Sequence, residues 1–333
     1  MNRSEYSLYV GIDISAEKAD AVWAEAVGQI KGAYTLSQTR TGHKALIERL
    51  RQTGHAAANV LVVMEATSTY WMQLAVGLYR AGYRVSVVNP RQAHHFAQAL
   101  LKRAKTDVID AQTLAELAIL LKPAVWQPPS AAWEALYQRL VEHDNLVEVR
   151  QMVRNQLHAL RQRHAMDKTV AARKQHLLDT YDQQIKQVAR EIQSWLEQSE
   201  WADMALRLRT IKGVGLLTAA WLVVITNGFT TCQDASQLTS YLGLAPHRQD
   251  SGKSRRGHLP VGVGGHRRAR RVVYQAAVSA ARFNSLIKSF YQHLIAQGKP
   301  VKVARCAAAR KLVHAAFAVA IKEPFCLSSQ FPA

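Results

Sequence analysis

Between Pro129 and Gly213 the chain contains neither glycine nor proline. A run of that length, rich in Gln, Glu, Arg, Leu and Ala, holds no residue that readily turns or breaks a helix. Apolar residues recur in it at helical spacing, among them Leu136, Leu140, Leu146 and Val149. Long helices forming an extended hairpin or coiled coil are expected, an arm of the kind that joins chains into oligomers. The run also divides the sequence. At 333 residues there is room for a domain on either side of a helical connector.

The segment before the run alternates strand and helix patterns. Tyr6–Asp13 is a short β-rich run, a polar turn follows around Ser15–Lys18, and Ala19–Ala26 and Gly32–Ser37 read as further strands. Gly42–Arg51 is helical in pattern. Asn59–Glu65 is continuously apolar until its final acid, which suits a strand buried on both faces. A helix over Tyr70–Arg80, a strand over Tyr83–Asn89 stopped by Pro90, and a helix from Lys105 to Leu121 complete an α/β domain with a mixed sheet.

Charge separates the two ends. Residues 204–333 hold 19 basic and 3 acidic side chains, a net of +16 out of +19 for the whole chain. A segment so basic matches a polyanion, because Lys and Arg contacts to phosphate drive nucleic-acid affinity. Apolar residues make up 48% of the chain, enough for folded cores. The start has no apolar core of signal-peptide length, and no stretch is long and apolar enough to span a membrane. Cys232, Cys306 and Cys326 are scattered and odd in number, so neither a disulfide framework nor a zinc site is indicated. A cytoplasmic, nucleoid-associated protein with no membrane partner is expected.

Four carboxylates stand out by position. Asp13 ends the first strand and Glu65 the central buried one, while Asp107 and Asp110 lie three apart on a helix and so share a face. Strand ends and a facing helix are where α/β sheets build sites. Acids gathered there repel one another unless a cation neutralises them, and hard oxygen ligands suit magnesium or manganese. Downstream, Lys212, Gly213 and Gly215 (KGVG) between two apolar helical stretches resemble a helix-hairpin-helix turn, which offers backbone N–H groups to phosphate. A plain helix-capping glycine explains the same residues. A Gly- and Arg-rich loop from Pro246 to Arg271 precedes a final helical region, Val272–Ile321.

Asp13 in VGIDISAEKADAV, Glu65 in VVMEATSTYW, and Asp107 and Asp110 in KRAKTDVIDAQTLAE together resemble the DEDD motif of the IS110 family of insertion-sequence transposases. That family includes the IS1111 group and Piv-type DNA invertases. A second block extends the resemblance over nearly the whole chain: IKGVGLLTAAWL, SQLTSYLGLAPHRQDSGKSRRGH and FYQHLIAQGKPVKVARCAAARKL. The resemblance implies an α/β RNase H-like (RuvC-like) DEDD domain over residues 1–128 and a helical coiled-coil oligomerisation region over 129–205. It places a mainly α, basic transposase domain over 206–325.

The resemblance also implies a catalytic serine, which maps onto Ser251 in QDSGKSRRGH. Ser254 is its local rival, with basic neighbours as well. Arg248, Lys253, Arg255 and Arg256 flank Ser251 and are suited to gripping phosphate oxygens. Further on, VGVGGHRRARR is richer in glycine than the family pattern; Arg267, Arg268, Arg270 and Arg271 there are candidate phosphate contacts. The implied function is site-specific recombination or transposition of a mobile element. DNA would be cleaved and rejoined through a covalent 5′-phosphoserine with divalent metal (Mg2+ or Mn2+) at the DEDD acids. The implied partners are donor and target DNA, an element-encoded bridge or seeker RNA that pairs with both, and further copies of the chain in a dimer or tetramer.

Three other readings compete. A RuvC-like nuclease or Holliday-junction resolvase would use the acids without a covalent intermediate. An actin-like ATPase or sugar kinase is faintly echoed by GIDISAEKAD, but it lacks a second phosphate loop and does not account for the basic C-terminal segment. A non-catalytic nucleic-acid-binding protein would keep its affinity without the acids.

Overall fold

The computed structural model describes residues 6–101, 106–245, 247–251, 255–259 and 265–321. It divides into two compact units, Met1–Pro129 and Ser130–Ala333.

The first unit is built on a five-stranded sheet of β1 (Leu8–Ile14), β2 (Lys18–Ala24), β3 (Ile30–Ser37), β4 (Val60–Glu65) and β5 (Arg84–Val88), in the order β3-β2-β1-β4-β5. The first three strands form an antiparallel meander, and β4 and β5 then extend the sheet parallel to β1. The mixed α/β expectation holds for this region. Helices α1 (Arg40–Gln52), α2 (Trp71–Arg80), α3 (Pro90–Ala99) and α4 (Asp107–Leu121) complete the unit.

Side-chain parity along the strands separates two cores. Leu8, Val10 and Ile12 of β1, with Val60, Val62 and Met64 of β4, pack with Leu46, Leu50, Leu74 and Leu78 of α1 and α2. Tyr9 of β1, with Leu61 and Val63 of β4, packs with Leu114, Leu117 and Ala118 of α4. This is why β4 reads as an unbroken apolar run: both its faces are covered. Helix α3 was missed in the sequence, where Pro90 reads as a strand stop. Proline is also well suited to a first helical turn, and Asn89 caps this one by accepting from the Arg91 amide at 2.9 Å.

The second unit is mainly helical. Helices α5 (Ala131–Arg161) and α6 (Lys168–Gln198) fold back on each other as a hairpin, with Asp167 capping α6. At its base, Leu136, Leu140, Ile192 and Leu196 enter the same core as α7 (Ala202–Arg209), α8 (Leu216–Ile225), α9 (Ala235–Tyr241), α10 (Arg267–Phe283) and α12 (Val301–Ile321). Helix α11 (Ser285–Ala296) joins it through Ile287. Toward the hairpin's far end a small cluster of Val153, Leu157 and Leu178 holds the two helices together. Helix α8 is buried from Thr218 to Ile225 and runs through the middle of this core.

The segment expected to be a loop from Pro246 to Arg271 differs from that expectation. It contains an antiparallel pair, β6 (His247–Ser251) and β7 (Arg255–Leu259), and α10 already begins at Arg267. Its glycines and arginines carry no apolar periodicity, so the pairing left no local signature. No helix among the described residues is long and apolar enough to cross a membrane.

Candidate active site

The acids of the first unit are brought together by parity and by one glycine. Asp13 follows Tyr9 and Gly11 on the α4-facing side of β1, and Glu65 follows Leu61 and Val63 on the same side of β4. Because β1 and β4 are parallel neighbours, with Ile12 opposite Met64, the two acids emerge at the same end of the sheet. Asp107 and Asp110 occupy the first turn of α4, where Thr106 caps the helix by accepting from the Ile109 amide at 3.3 Å. A Cβ on Gly11 would stand 2.0 Å from the Ala111 carbonyl oxygen and 2.2 Å from the Ala115 amide nitrogen. Only glycine lets α4 cross β1 so closely that its first turn reaches Asp13.

The charges feel one another. Burial first, then the Asp110 and Asp107 carboxylates and more weakly Glu65, push the Asp13 carboxyl up to about 6, against the pull of a hydrogen bond from the Ile14 backbone. Glu65 accepts a hydrogen bond from the Thr67 hydroxyl at 3.0 Å.

Two further residues complete the cluster, and sequence reasoning missed both. Asp20 of β2 lies directly opposite Asp13 in the antiparallel ladder, so their side chains share a face. It is buried and accepts a short hydrogen bond from the Thr35 hydroxyl. Lys18 spans the group, with its Nζ 2.6 Å from Asp107 Oδ2 and 3.4 Å from Asp20 Oδ2. An acid inside the otherwise apolar β2 run was the available signal for Asp20. The cluster gathers negative charge without closing into a ligand shell: among the described residues, no three His, Cys, Asp or Glu side chains are grouped tightly enough to hold an ion. As a donor set, carboxylates alone suit a hard divalent cation.

In the second unit, Lys212 is exposed in the turn between α7 and α8, followed by Gly213 at φ +108° and Gly215 capping α8. A Cβ on Gly213 would meet Ala280 Cβ of α10 at 2.6 Å, so this glycine is needed for packing. The space beside Gly215 is open.

The arginines of α10 divide by partner. Arg271 pairs with Asp144 at 2.7 Å and with Glu148, and Arg268 faces Asp144 at 3.8 Å and Asn145 Oδ1 at 3.4 Å. Arg270 donates to the Leu242 carbonyl at 3.3 Å. Arg267 is exposed and forms no close ion pair among the described residues, acting on Glu148 only weakly. Arg268 therefore helps hold α10 to α5, whereas Arg267 is available to a ligand.

Ser251 ends β6, paired in register with Arg255 of β7; Arg248 and Arg256 lie on the same two strands, opposite His258 and Asp250. Lys253 and Ser254 lie outside the described residues.

Two family models match the chain. A DEDD-type IS110 transposase model covers residues 10–165, and one described as the transposase IS116/IS110/IS902 family covers residues 205–292. Among individual proteins, the pilin gene-inverting protein of Moraxella bovis is 29% identical over 93% of this chain and 95% of its own length. That of Moraxella lacunata is similar to the same extent. An uncharacterized 43.6 kDa protein of insertion element IS110 from Streptomyces coelicolor is 32% identical over 38% of this chain and 31% of its own.

Proposed function

Because this chain belongs to the IS110 family of transposases, and is accordingly a DNA transposase or recombinase, we propose that it cuts and rejoins DNA at specific sites through a serine-linked intermediate. The observation that carries this reading is the convergence of Asp13, Glu65, Asp107 and Asp110 at one end of the sheet, close enough to raise the Asp13 carboxyl. Membership of a DEDD family points to dependence on divalent metal. The sheet order, an antiparallel meander continued by two parallel strands, supports an RNase H-like (RuvC-like) domain. The α5–α6 hairpin supports a coiled-coil arm through which dimers or tetramers form.

The four acids would hold Mg2+ or Mn2+, which supplies charge neutralisation and Lewis acidity to phosphoryl transfer. Asp13, whose carboxyl is raised to about 6, would have to be deprotonated to serve as one of these ligands. The Ser251 hydroxyl attacks a DNA phosphorus, a P–O bond to the 3′ oxygen breaks, and the serine proton ends on that 3′ hydroxyl. The phosphodiester becomes a phosphoserine ester on the 5′ end. Attack by another strand's 3′ hydroxyl reverses these steps without ATP. Arg248, Lys253, Arg255 and Arg256 surround the serine in sequence as cations for the phosphate oxygens, and Lys212, Gly213, Gly215 and Arg267 extend the nucleic-acid surface, while Arg268 stays engaged with Asp144 and Asn145. An element-encoded bridge or seeker RNA selects donor and target by base pairing, leaving the protein to hold backbones. The Moraxella relatives are named for inverting a pilin gene, and inversion needs this same chemistry at two sites.

Denaturant trapping followed by peptide mapping tests the reading. The wild-type protein is expected to carry DNA on Ser251; Ser251→Ala and Asp110→Asn are expected to bind DNA and give neither adduct nor product. An active Ser251→Ala protein would instead establish a metal-dependent nuclease or resolvase that works without a covalent intermediate.

A further inference from the structure

A cavity of about 310 Å³ opens in the second unit beside α10. Its described walls are Arg267, Arg270, Arg271 and Tyr274 of α10, Leu244 after α9, and Cys306 of α12. The α10 residues follow one another at spacings of three, one and three, so a single stripe of the helix faces the space.

Its charge is unbalanced. No acid lines it among the described residues. The Arg271 charge is answered by Asp144 and Glu148; among the described residues Arg270 meets a backbone carbonyl, and Arg267 forms no close ion pair, Glu148 feeling its charge only weakly. The N-terminal end of the 17-residue α10 lies at the same place and adds its partial positive charge. Two guanidiniums without a close ion pair among the described residues, at a helix N-terminus, favour an anion, and their forked donors suit phosphate. The remaining walls, Leu244, Tyr274 and the Cys306 thiol, are mostly apolar and suit a sugar or base edge.

The cavity also adjoins a closed neck. His266 donates its amide to the Tyr241 carbonyl at 3.0 Å, and a Cβ on Gly265 would stand 2.3 Å from Gly243 Cα. These contacts close the base of the segment that carries Ser251. Arg270 rests on the same base: its Nη1 would be 2.5 Å from a Cβ on Gly243.

The geometry points to a binding site for one phosphate-bearing nucleotide of a DNA strand, gripped by Arg267 and Arg270 at the root of the serine-bearing segment. It deepens the recombinase reading and rests on it for the identity of the polyanion. Of the two nucleic acids in that reading, DNA is the one Ser251 attacks, so a site at this root holds DNA rather than RNA.

Cys306 provides the readout. It is a free, partly exposed thiol in the cavity wall, whereas Cys232 is buried and serves as an internal reference. Burial pushes the Cys306 thiol up, so alkylation is run at mildly alkaline pH and followed by peptide mass spectrometry of the full chain. With a duplex DNA oligonucleotide at ten times its Kd, alkylation of Cys306 is expected to slow about ten-fold. Arg267→Gln is expected to lose most of that protection with its melting temperature unchanged, since Arg267 is exposed. Lys302→Gln, at an exposed site on α12, should keep it. Ser251→Ala should also keep it, which separates failure of this site from failure of the covalent chemistry. Unchanged Cys306 reactivity at saturating DNA, full protection of Arg267→Gln, or stronger protection by RNA of the same sequence would each overturn the proposal.

Discussion

Gly11 and Ala111 are in backbone contact: a Cβ on the glycine would lie 2.0 Å from the alanine's carbonyl oxygen. One missing methyl group thus sets the distance between strand β1 and helix α4, and through it the distance between Asp13 and the Asp107–Asp110 turn. Gly11 has no side chain with which to do chemistry. It is a positioning residue for the whole acidic cluster.

Gly11→Ala is therefore expected to push α4 away from the sheet. Overpacking at a buried site costs about 1–3 kcal/mol, so the protein should still fold with a lowered melting temperature. Strand cleavage should fall far more than stability does, and titration of Asp13 should move back toward the ordinary carboxylate range. Wild-type cleavage by a folded Gly11→Ala protein would remove the glycine from the site's construction.

The raised Asp13 carboxyl has a pH signature. Its ordinary value is 3.8 and the folded value about 6, so the folded state binds more protons between the two. Its contribution is accordingly most favourable at low pH, and stability is lost as pH rises from about 4 through about 6. Asp13→Asn should flatten this part of the melting-temperature profile. Divalent cation at neutral pH should restore wild-type stability and do much less for Asp13→Asn.

Lys18 supplies the acidic cluster with a cation of its own. Removing it by Lys18→Gln should increase the affinity for Mn2+ by several-fold, because a positive charge leaves the neighbourhood of the site and solvent screens the rest. Calorimetric titration reads this directly. Weaker Mn2+ binding by the variant would mean that Lys18 positions Asp107 for the metal instead of competing with it.

Arg267 and Arg271 are four residues apart and should behave oppositely. Asp144 is buried against Arg271, so Arg271→Ala leaves a carboxylate without its closest partner and should cost about 1–2 kcal/mol, discounted because the arginine itself is partly exposed. Arg267→Ala should leave stability within about 0.5 kcal/mol. It should instead weaken DNA binding and reduce the slope of log affinity against log salt by about 0.9. Thermal melts and binding at several salt concentrations distinguish the two.

Much of the first unit was legible in the chain itself. A half-covered strand alternates polar with apolar residues and a doubly covered one is apolar throughout, so β1 and β4 declared themselves, and their closing acids Asp13 and Glu65 marked the sheet end. The absence of glycine and proline after Pro129 declared α5 and α6 in the same way. These are local properties, set by the period of a helix or strand and by what each residue permits its own backbone. A spacing of three on one helical face marked Asp107 and Asp110, whereas only the family motif singled out Ser251 from Ser254.

What remained hidden depends on residues far apart in the chain. That Asp20 faces Asp13, that Lys18 reaches Asp107, and that Gly11 is indispensable where Gly54 stands in open space all follow from strand pairing and helix crossing. Arg267, Arg268 and Arg271 are indistinguishable as letters. Only the docking of α10 on α5 brings two of them within ion-pair distance of a carboxylate and leaves the third exposed. Sequence determines a residue's chemistry and its local periodicity, whereas partner, burial and usable charge are properties of the packed chain, because they depend on which distant surfaces come to exclude water together.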